Sequence, residues 1–240
     1  MNYIDYDKLD AIDIESFRDI KPYPHLNPAG FLTDEAFERL RTNLPPLEAM
    51  QPFFGYQRSH GQQSHDRYVL EFEDHLEIAP PWREFIEELR GSRYKNFLYQ
   101  AFDSRFLQLN FHWHYTPNGC SVSPHCDAKH KLGSHIFYFN TPEDWDPSWG
   151  GETVVLDDGD RLDRESAPGF EEFDRILPAD AMGNRSFLFA RRGNSWHGVR
   201  EIKCPEGKFR KVFIVVINDW KRFLKRSIKA RLKGQKASTY

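Results

Sequence analysis

From about residue 105 the chain breaks into short runs of strand formers with turn residues between them, and this texture narrows the possible folds more than any other feature. The runs are "RFLQLNFHWHYT" (105–116), "SHIFYFN" (134–140), "GETVVLDD" (151–158), "RSFLFA" (185–190), "SWHGVREI" (195–202) and "KFRKVFIVVIN" (208–218). All are rich in aromatic and β-branched residues. Stretches such as "TPNG", "DPSWGG", "RRGN" and "CPEG" punctuate them. Many short strands with few helices between them indicate an antiparallel barrel or sandwich. A chain of 240 residues can bury a core for one such domain, and its 20 Phe, 10 Tyr and 6 Trp suit an aromatic-lined cavity.

The first hundred residues read differently. Residues 33–43 open on Thr33 as an N-cap with acids behind it, which predicts a helix. "PPWREFIEELR" (80–90) has proline at its start and apolar Trp82, Phe85, Ile86 and Leu89 at helical spacing. A further helix is expected over 93–103, and a loop over "GYQRSHGQQSH" (55–65). The acidic stretch 157–184 reads as a long insertion between strands, of the kind that forms lids or binding loops. In the tail, Trp220, Leu224, Ile228 and Leu232 fall four apart, a helical seam. The expected organisation is one domain over 1–240: a mainly helical support region (1–104), a β core (105–220) and a basic C-terminal helix (221–240).

Charge and cysteine content exclude several classes. Eight Lys or Arg and no acid fall between Lys221 and Tyr240, so with a net charge of −3 the remainder carries about −11. Only the tail is basic, and a nucleic-acid partner is not expected. Its apolar seam and lysines predict either a helix packed on the barrel or a peripheral contact of 220–236 with an anionic membrane at its inner face. No apolar run reaches the roughly 20 residues that span a bilayer, and the acidic start "MNYIDYDKLD" lacks the layout of a secretory signal. Three cysteines without CxxC spacing indicate neither a disulfide scaffold nor a thiolate zinc site. A cytoplasmic location is expected.

Within "SPHCDAKHKL" (123–132), His125 and Asp127 stand two apart and point to one side of a strand, with Cys126 on the other. Such a pair is either an ordinary polar contact or two ligands of one ion. His197, in the aromatic strand "GNSWHGVREI", can supply a third. Two imidazoles and a carboxylate on one face of a metal form the non-haem Fe(II) triad, which leaves positions open for substrate groups and oxygen. Arg210 opens the strongly apolar strand "RKVFIVVIN". A guanidinium inside a barrel needs an anion, and a carboxylate fits it bidentately. Alternatively Arg210 and Lys211 are surface charges.

With "PHCD", "WHGV", "FRKVFIVVI" and "WGGET" in this order, residues 106–220 resemble the 2-oxoglutarate- and Fe(II)-dependent oxygenases, within them the prolyl 4-hydroxylase-like group. The resemblance implies a double-stranded β-helix, the jelly-roll or cupin-like barrel, in an α+β, mostly β chain. It implies His125, Asp127 and His197 as iron ligands, with Fe(II), 2-oxoglutarate and O2 as cofactor and cosubstrates and ascorbate as a reductant. Arg210 would hold the far carboxylate of 2-oxoglutarate, helped by Tyr115 and by Phe137 or Tyr138, of which only Tyr138 could hydrogen-bond. The reaction would hydroxylate an unactivated C–H bond and release succinate and CO2; an Asp at 127 argues against halogenation. The substrate would be a prolyl or other protein residue, or a small metabolite or sugar acid, met by Arg191, Arg192 and Trp196. If Tyr115 faces the cavity, Phe111 and Trp113 do too, and His112 and His114 face away. His130 and His135 are expected to be ordinary surface or turn residues, with a substrate contact as the alternative for either, and nothing marks His65. The rival readings are a catalytically silent cupin-like module binding metal or sugar, and a nucleic-acid demethylase of the same superfamily.

Overall fold

The computed structural model describes residues 1–225. The first half contains helices α1 (Tyr6–Asp10), α2 (Ile14–Asp19), α3 (Asp34–Arg41), α4 (Pro80–Arg90) and α5 (Ser92–Phe102) and strands β1 (His25–Leu26), β2 (Gln51–Phe53) and β3 (Arg67–Glu71). The second half is β: β4 (Leu107–Thr116), β5 (Val122–His125), β6 (Lys131–Tyr138), β7 (Thr153–Asp157), β8 (Arg175–Ala179), β9 (Ser186–Ala190), β10 (His197–Val199) and β11 (Arg210–Asp219).

Two antiparallel sheets make the double-stranded β-helix. The larger runs β1-β9-β6-β11-β4-β3-β2 and the smaller β5-β10-β7-β8. Strand β11 sits at the centre of the larger sheet, paired with β4 on one side and β6 on the other. Its alternation separates two interiors. Phe213, Val215 and Ile217 face the helices, whereas Ile214 and Val216 face the cavity between the sheets. On the helix side, the ring of Trp82 lies 4.9 Å from Phe213 and 5.1 Å from both Trp113 and Phe139, centroid to centroid. Helix α4 is therefore the plate on which the sheet rests, and the proline start and apolar spacing of "PPWREFIEELR" place those rings. In α3, Thr33 Oγ1 accepts the Ala36 N–H at 3.2 Å, the expected N-cap.

The support region also contributes strands to the larger sheet: β3 pairs with β4, β2 extends the same sheet and β1 pairs with β9. Two expectations need correction. The 157–184 segment is not all loop, because β8 pairs with β7 from Thr153↔Ala179 to Asp157↔Arg175. Pro178 within the short run "RILPA", and the acidic residues before it, hide that strand from a sequence reading. In the tail, a helix starts at Trp220, where Trp220 is 45% and Leu224 is 42% exposed, so the seam is not packed there. Ile228, Leu232 and the rest of the 226–240 segment lie outside the described residues. Among the described residues no helix is long and apolar enough to cross a membrane.

Candidate metal centre

The barrel brings His125, Asp127 and His197 together. Strands β5 and β10 pair with His125 directly opposite His197, and the two rings lie 4.3 Å apart. Each of the three side chains offers a ligand atom, and these atoms all lie within 4.8 Å of one another.

The local hydrogen bonds aim the ligands. Nδ1 of His125 meets the Ser123 carbonyl at 3.0 Å, and Nδ1 of His197 meets the Ser195 carbonyl at 3.0 Å. In the neutral tautomer this places the proton on Nδ1 and leaves the Nε2 lone pair for a cation. Burial lowers the pKa of both imidazoles, His125 well below its ordinary value with the neighbouring His197 and Arg58 adding to the effect. Both are therefore neutral, as a metal requires. Burial alone would raise the Asp127 pKa, but the Lys131 ammonium, through its charge and its hydrogen bond, outweighs it and holds the carboxyl below the usual carboxylate range. Donors of this type and arrangement fit Fe(II).

The triad opens on a cavity of about 720 Å³ between the sheets. Arg210 lines the same cavity at 7% exposure. Its Nε donates to the Gly151 carbonyl and its Nη2 to Thr153 Oγ1 at 3.3 Å. Tyr138 donates its hydroxyl to the same Thr153 oxygen at 2.8 Å, and the Arg210 guanidinium lies 5.5 Å from the Tyr138 ring centre. Phe137 points the other way, against Phe85. Of the two aromatics in "HIFYFN", Tyr138 is thus the one beside the guanidinium.

Other expected positions are not brought to the cavity. Tyr115 faces the helices and donates its hydroxyl to the Pro45 carbonyl at 2.8 Å. Phe111 and Trp113 share that face, and His112 and His114 line the cavity instead. The reason is register: Arg210 pairs with Thr116 and Val212 with His114, so the even-numbered residues of both strands share one face. Trp196 is fully buried on the outer side of the smaller sheet, against Phe173. Arg191 donates Nε to the Asp127 carbonyl at 2.8 Å, bracing the ligand from behind, and Arg192 is exposed. His135 is not a surface residue; it is buried among Phe31, Phe137 and Tyr94. His130 is also buried. Three cavity residues carried no sequence signal, namely Arg58, His65 and Arg67. They come from the 54–66 loop and the first residue of β3, far from the motif.

A jelly-roll barrel with two histidines and an aspartate converging on its cavity is the arrangement of a non-haem iron site. The sequence profile of the 2OG-Fe(II) oxygenase superfamily matches residues 109–218. That matched stretch carries His125, Asp127, His197 and Arg210, and the match supports a 2-oxoglutarate-dependent dioxygenase, with Fe(II) as cofactor and 2-oxoglutarate and O2 as cosubstrates. No curated protein sequence matches it significantly. Among solved structures, a Pseudomonas putida prolyl-4-hydroxylase is 14% identical, with a TM-score of 0.57, covering 85% of this chain and 97% of that one. A Trichoplax adhaerens prolyl hydroxylase, solved with a peptide fragment of the hypoxia inducible factor oxygen degradation domain, is 13% identical, with a TM-score of 0.58 over 90% of this chain and 91% of its own. The non-heme alpha ketoglutarate dependent carbocyclase SnoK from nogalamycin biosynthesis is 10% identical, with a TM-score of 0.59 over 88% and 85%. At these identities the likeness is one of fold.

Proposed function

We propose that this chain hydroxylates an unactivated C–H bond, with His125 Nε2, His197 Nε2 and an Asp127 oxygen holding Fe(II) and Arg210 receiving the distal carboxylate of 2-oxoglutarate. The observation that carries the reading is that a neutral two-histidine, one-carboxylate cluster and a buried guanidinium open on one cavity. Bound iron supplies oxygen activation, coupled to oxidative decarboxylation of the cosubstrate to succinate and CO2.

The chain's own part is placement. Arg210, steadied by Thr153 Oγ1 and the Gly151 carbonyl, gives a fixed fork for a carboxylate. The paired backbone carbonyls of Ser123 and Ser195 hold both imidazoles in the metal-binding tautomer. Ile136, Phe189, Ile214 and Val216 make the apolar part of the wall that excludes water. The fold neighbours that act on prolyl residues support a protein residue as substrate. A small metabolite or sugar acid is the second reading, favoured by the number of cationic side chains around the cavity.

Anaerobic addition of Fe(II) and then 2-oxoglutarate tests the reading. The expected result is the weak visible charge-transfer band of a chelated 2-oxo acid, lost in His197→Ala. A chain that gives no band, or His197→Ala with full succinate release, overturns it.

A further inference from the structure

We propose that the exposed face formed by Phe106, Trp220 and Leu224 docks on an anionic lipid surface. Three of the six large apolar side chains exposed among the described residues gather there, Phe106 at 53%, Trp220 at 45% and Leu224 at 42%. The backbone fixes the cluster, because the Trp220 N–H donates to the Phe106 carbonyl at 2.8 Å. Trp220 and Leu224 stand one turn apart on the helix that starts at Trp220.

Other groups hold that helix down, so these apolar side chains are not its anchor. The Asp219 N–H donates to the His130 carbonyl at 2.9 Å, and Arg222 Nη1 donates to the Lys129 carbonyl at 2.9 Å. Phe223 turns inward, its ring 6.4 Å from that of His130, and leaves Trp220 and Leu224 facing out. Large apolar groups clustered in water mark a contact surface. The face also adjoins the cavity, because Lys129, whose carbonyl Arg222 meets, lines it. Docking therefore brings a lipid surface beside the loop that follows Asp127.

Charge names the partner. Arg105, Lys221, Arg222 and Lys225 are exposed around the apolar groups, and Lys221 Nζ lies 4.2 Å from the centre of the Phe106 ring. The neighbouring acids are engaged, Asp219 with Arg222 at 3.6 Å and Asp103 with Arg18 at 3.8 Å. From Lys221 to Tyr240 the sequence carries eight Lys or Arg and no acid. Aromatic rings flanked by long cations suit the headgroup level of a bilayer. There Trp sits at the boundary, Lys and Arg stems reach the phosphates, and an anionic leaflet attracts the charge. A nucleic acid would use the cations and leave the three apolar groups idle. In a two-fold dimer built on this face, the same cations would confront one another.

The test sediments the full chain with vesicles of phosphatidylcholine alone and of phosphatidylcholine mixed with phosphatidylserine. Wild type is expected on the mixed vesicles and not on the neutral ones, and to be released as salt rises. W220Q/L224Q is expected to bind about tenfold more weakly, from the loss of two apolar side chains. K221Q/K225Q is expected to weaken binding and to flatten its salt dependence. Lipids with brominated acyl chains should quench tryptophan emission in wild type and not in W220F, which still binds. Urea unfolding like that of wild type shows that the variants are folded. Undiminished binding by W220Q/L224Q, equal binding to neutral vesicles, or no binding overturns the proposal. A dimer that W220Q/L224Q dissolves, without vesicle binding, assigns the face to a second copy of the chain. Duplex DNA bound in place of vesicles assigns the cations to nucleic acid, and either result also overturns the proposal.

Discussion

Lys131 Nζ lies 3.0 Å from Asp127 Oδ1, with the lysine only 15% and the aspartate 7% exposed. The ammonium occupies one carboxylate oxygen and leaves the other without a lysine partner. It also offsets the burial of that carboxylate, which would otherwise favour protonation. Lys131→Met keeps the stem and removes the charge. The expected outcome is a metal affinity about tenfold weaker, in the range that loss of a ligand's hydrogen-bonding partner produces. Mn(II) titration followed by electron paramagnetic resonance measures it, and an unchanged dissociation constant would mean that the lysine is only a surface charge folded inward.

Two tyrosines of the larger sheet send their hydroxyls to opposite faces. Tyr138 reaches Thr153 Oγ1, which also meets Arg210, whereas Tyr115 reaches Pro45 on the opposite face of the sheet. Tyr138→Phe is therefore expected to raise the KM for 2-oxoglutarate several-fold by loosening Arg210, with Arg210→Ala raising it further. Tyr115→Phe leaves that KM unchanged and costs about 1 kcal/mol of stability, a typical hydrogen-bond contribution. Succinate release against 2-oxoglutarate concentration reads the first effect and urea unfolding the second. A larger KM change in Tyr115→Phe than in Tyr138→Phe would reverse the assignment.

These tyrosines also show where sequence stops being informative. His125 and Asp127 were legible because i and i+2 share a strand face whatever the fold, and His197 because its turn-and-strand context matched. The cavity face of β4 was not legible, because parity along one strand is meaningless until its pairing with another is known. Taking Arg210 as inward and the β4–β11 register as Arg210↔Thr116 would have put His112 and His114 inside. Arg58 and His65 were invisible for a different reason: they reach the cavity from a loop joining β2 to β3, and loop placement is set by tertiary contacts such as Gln62 to Ser166. Strand β8 was missed because it is a short edge strand, "RILPA", in which Pro178 counts against a strand and whose flanks are acidic.

Gly133 offers a check on the sheet itself. It sits on β6 opposite Ala190 of β9, and a Cβ there would fall 2.0 Å from the Phe189 carbonyl oxygen and 2.7 Å from Phe102 Cε1. Backbone on one side and a buried ring on the other leave nothing free to move. Gly133→Ala is expected to destabilise the fold by about 3 kcal/mol, the upper end of overpacking costs. Chemical unfolding measures it, and a loss within error of zero would show that the β6–β9 spacing is looser than drawn.

His135 makes stability depend on pH. It is fully buried beside Phe137 and Phe31, its Nδ1 2.9 Å from the Tyr94 hydroxyl, and burial pushes its pKa down to about 3 from an ordinary value of 6.5. The folded state therefore keeps this imidazole neutral while the unfolded chain protonates it below about pH 6.5. More protons bound by the unfolded state means that stability rises with pH across this window. The contribution is complete above pH 6.5 and is lost progressively toward pH 3, by about 2 kcal/mol at pH 5, where the unfolded chain is some 1.5 units below its pKa. The pair His135→Leu with Tyr94→Phe removes the titrating group and its hydrogen-bond partner together. Urea unfolding from pH 7 to pH 5 should then show a shallower acid decline in the double variant than in wild type. Parallel curves would mean that His135 reaches water, or its proton, in the folded state.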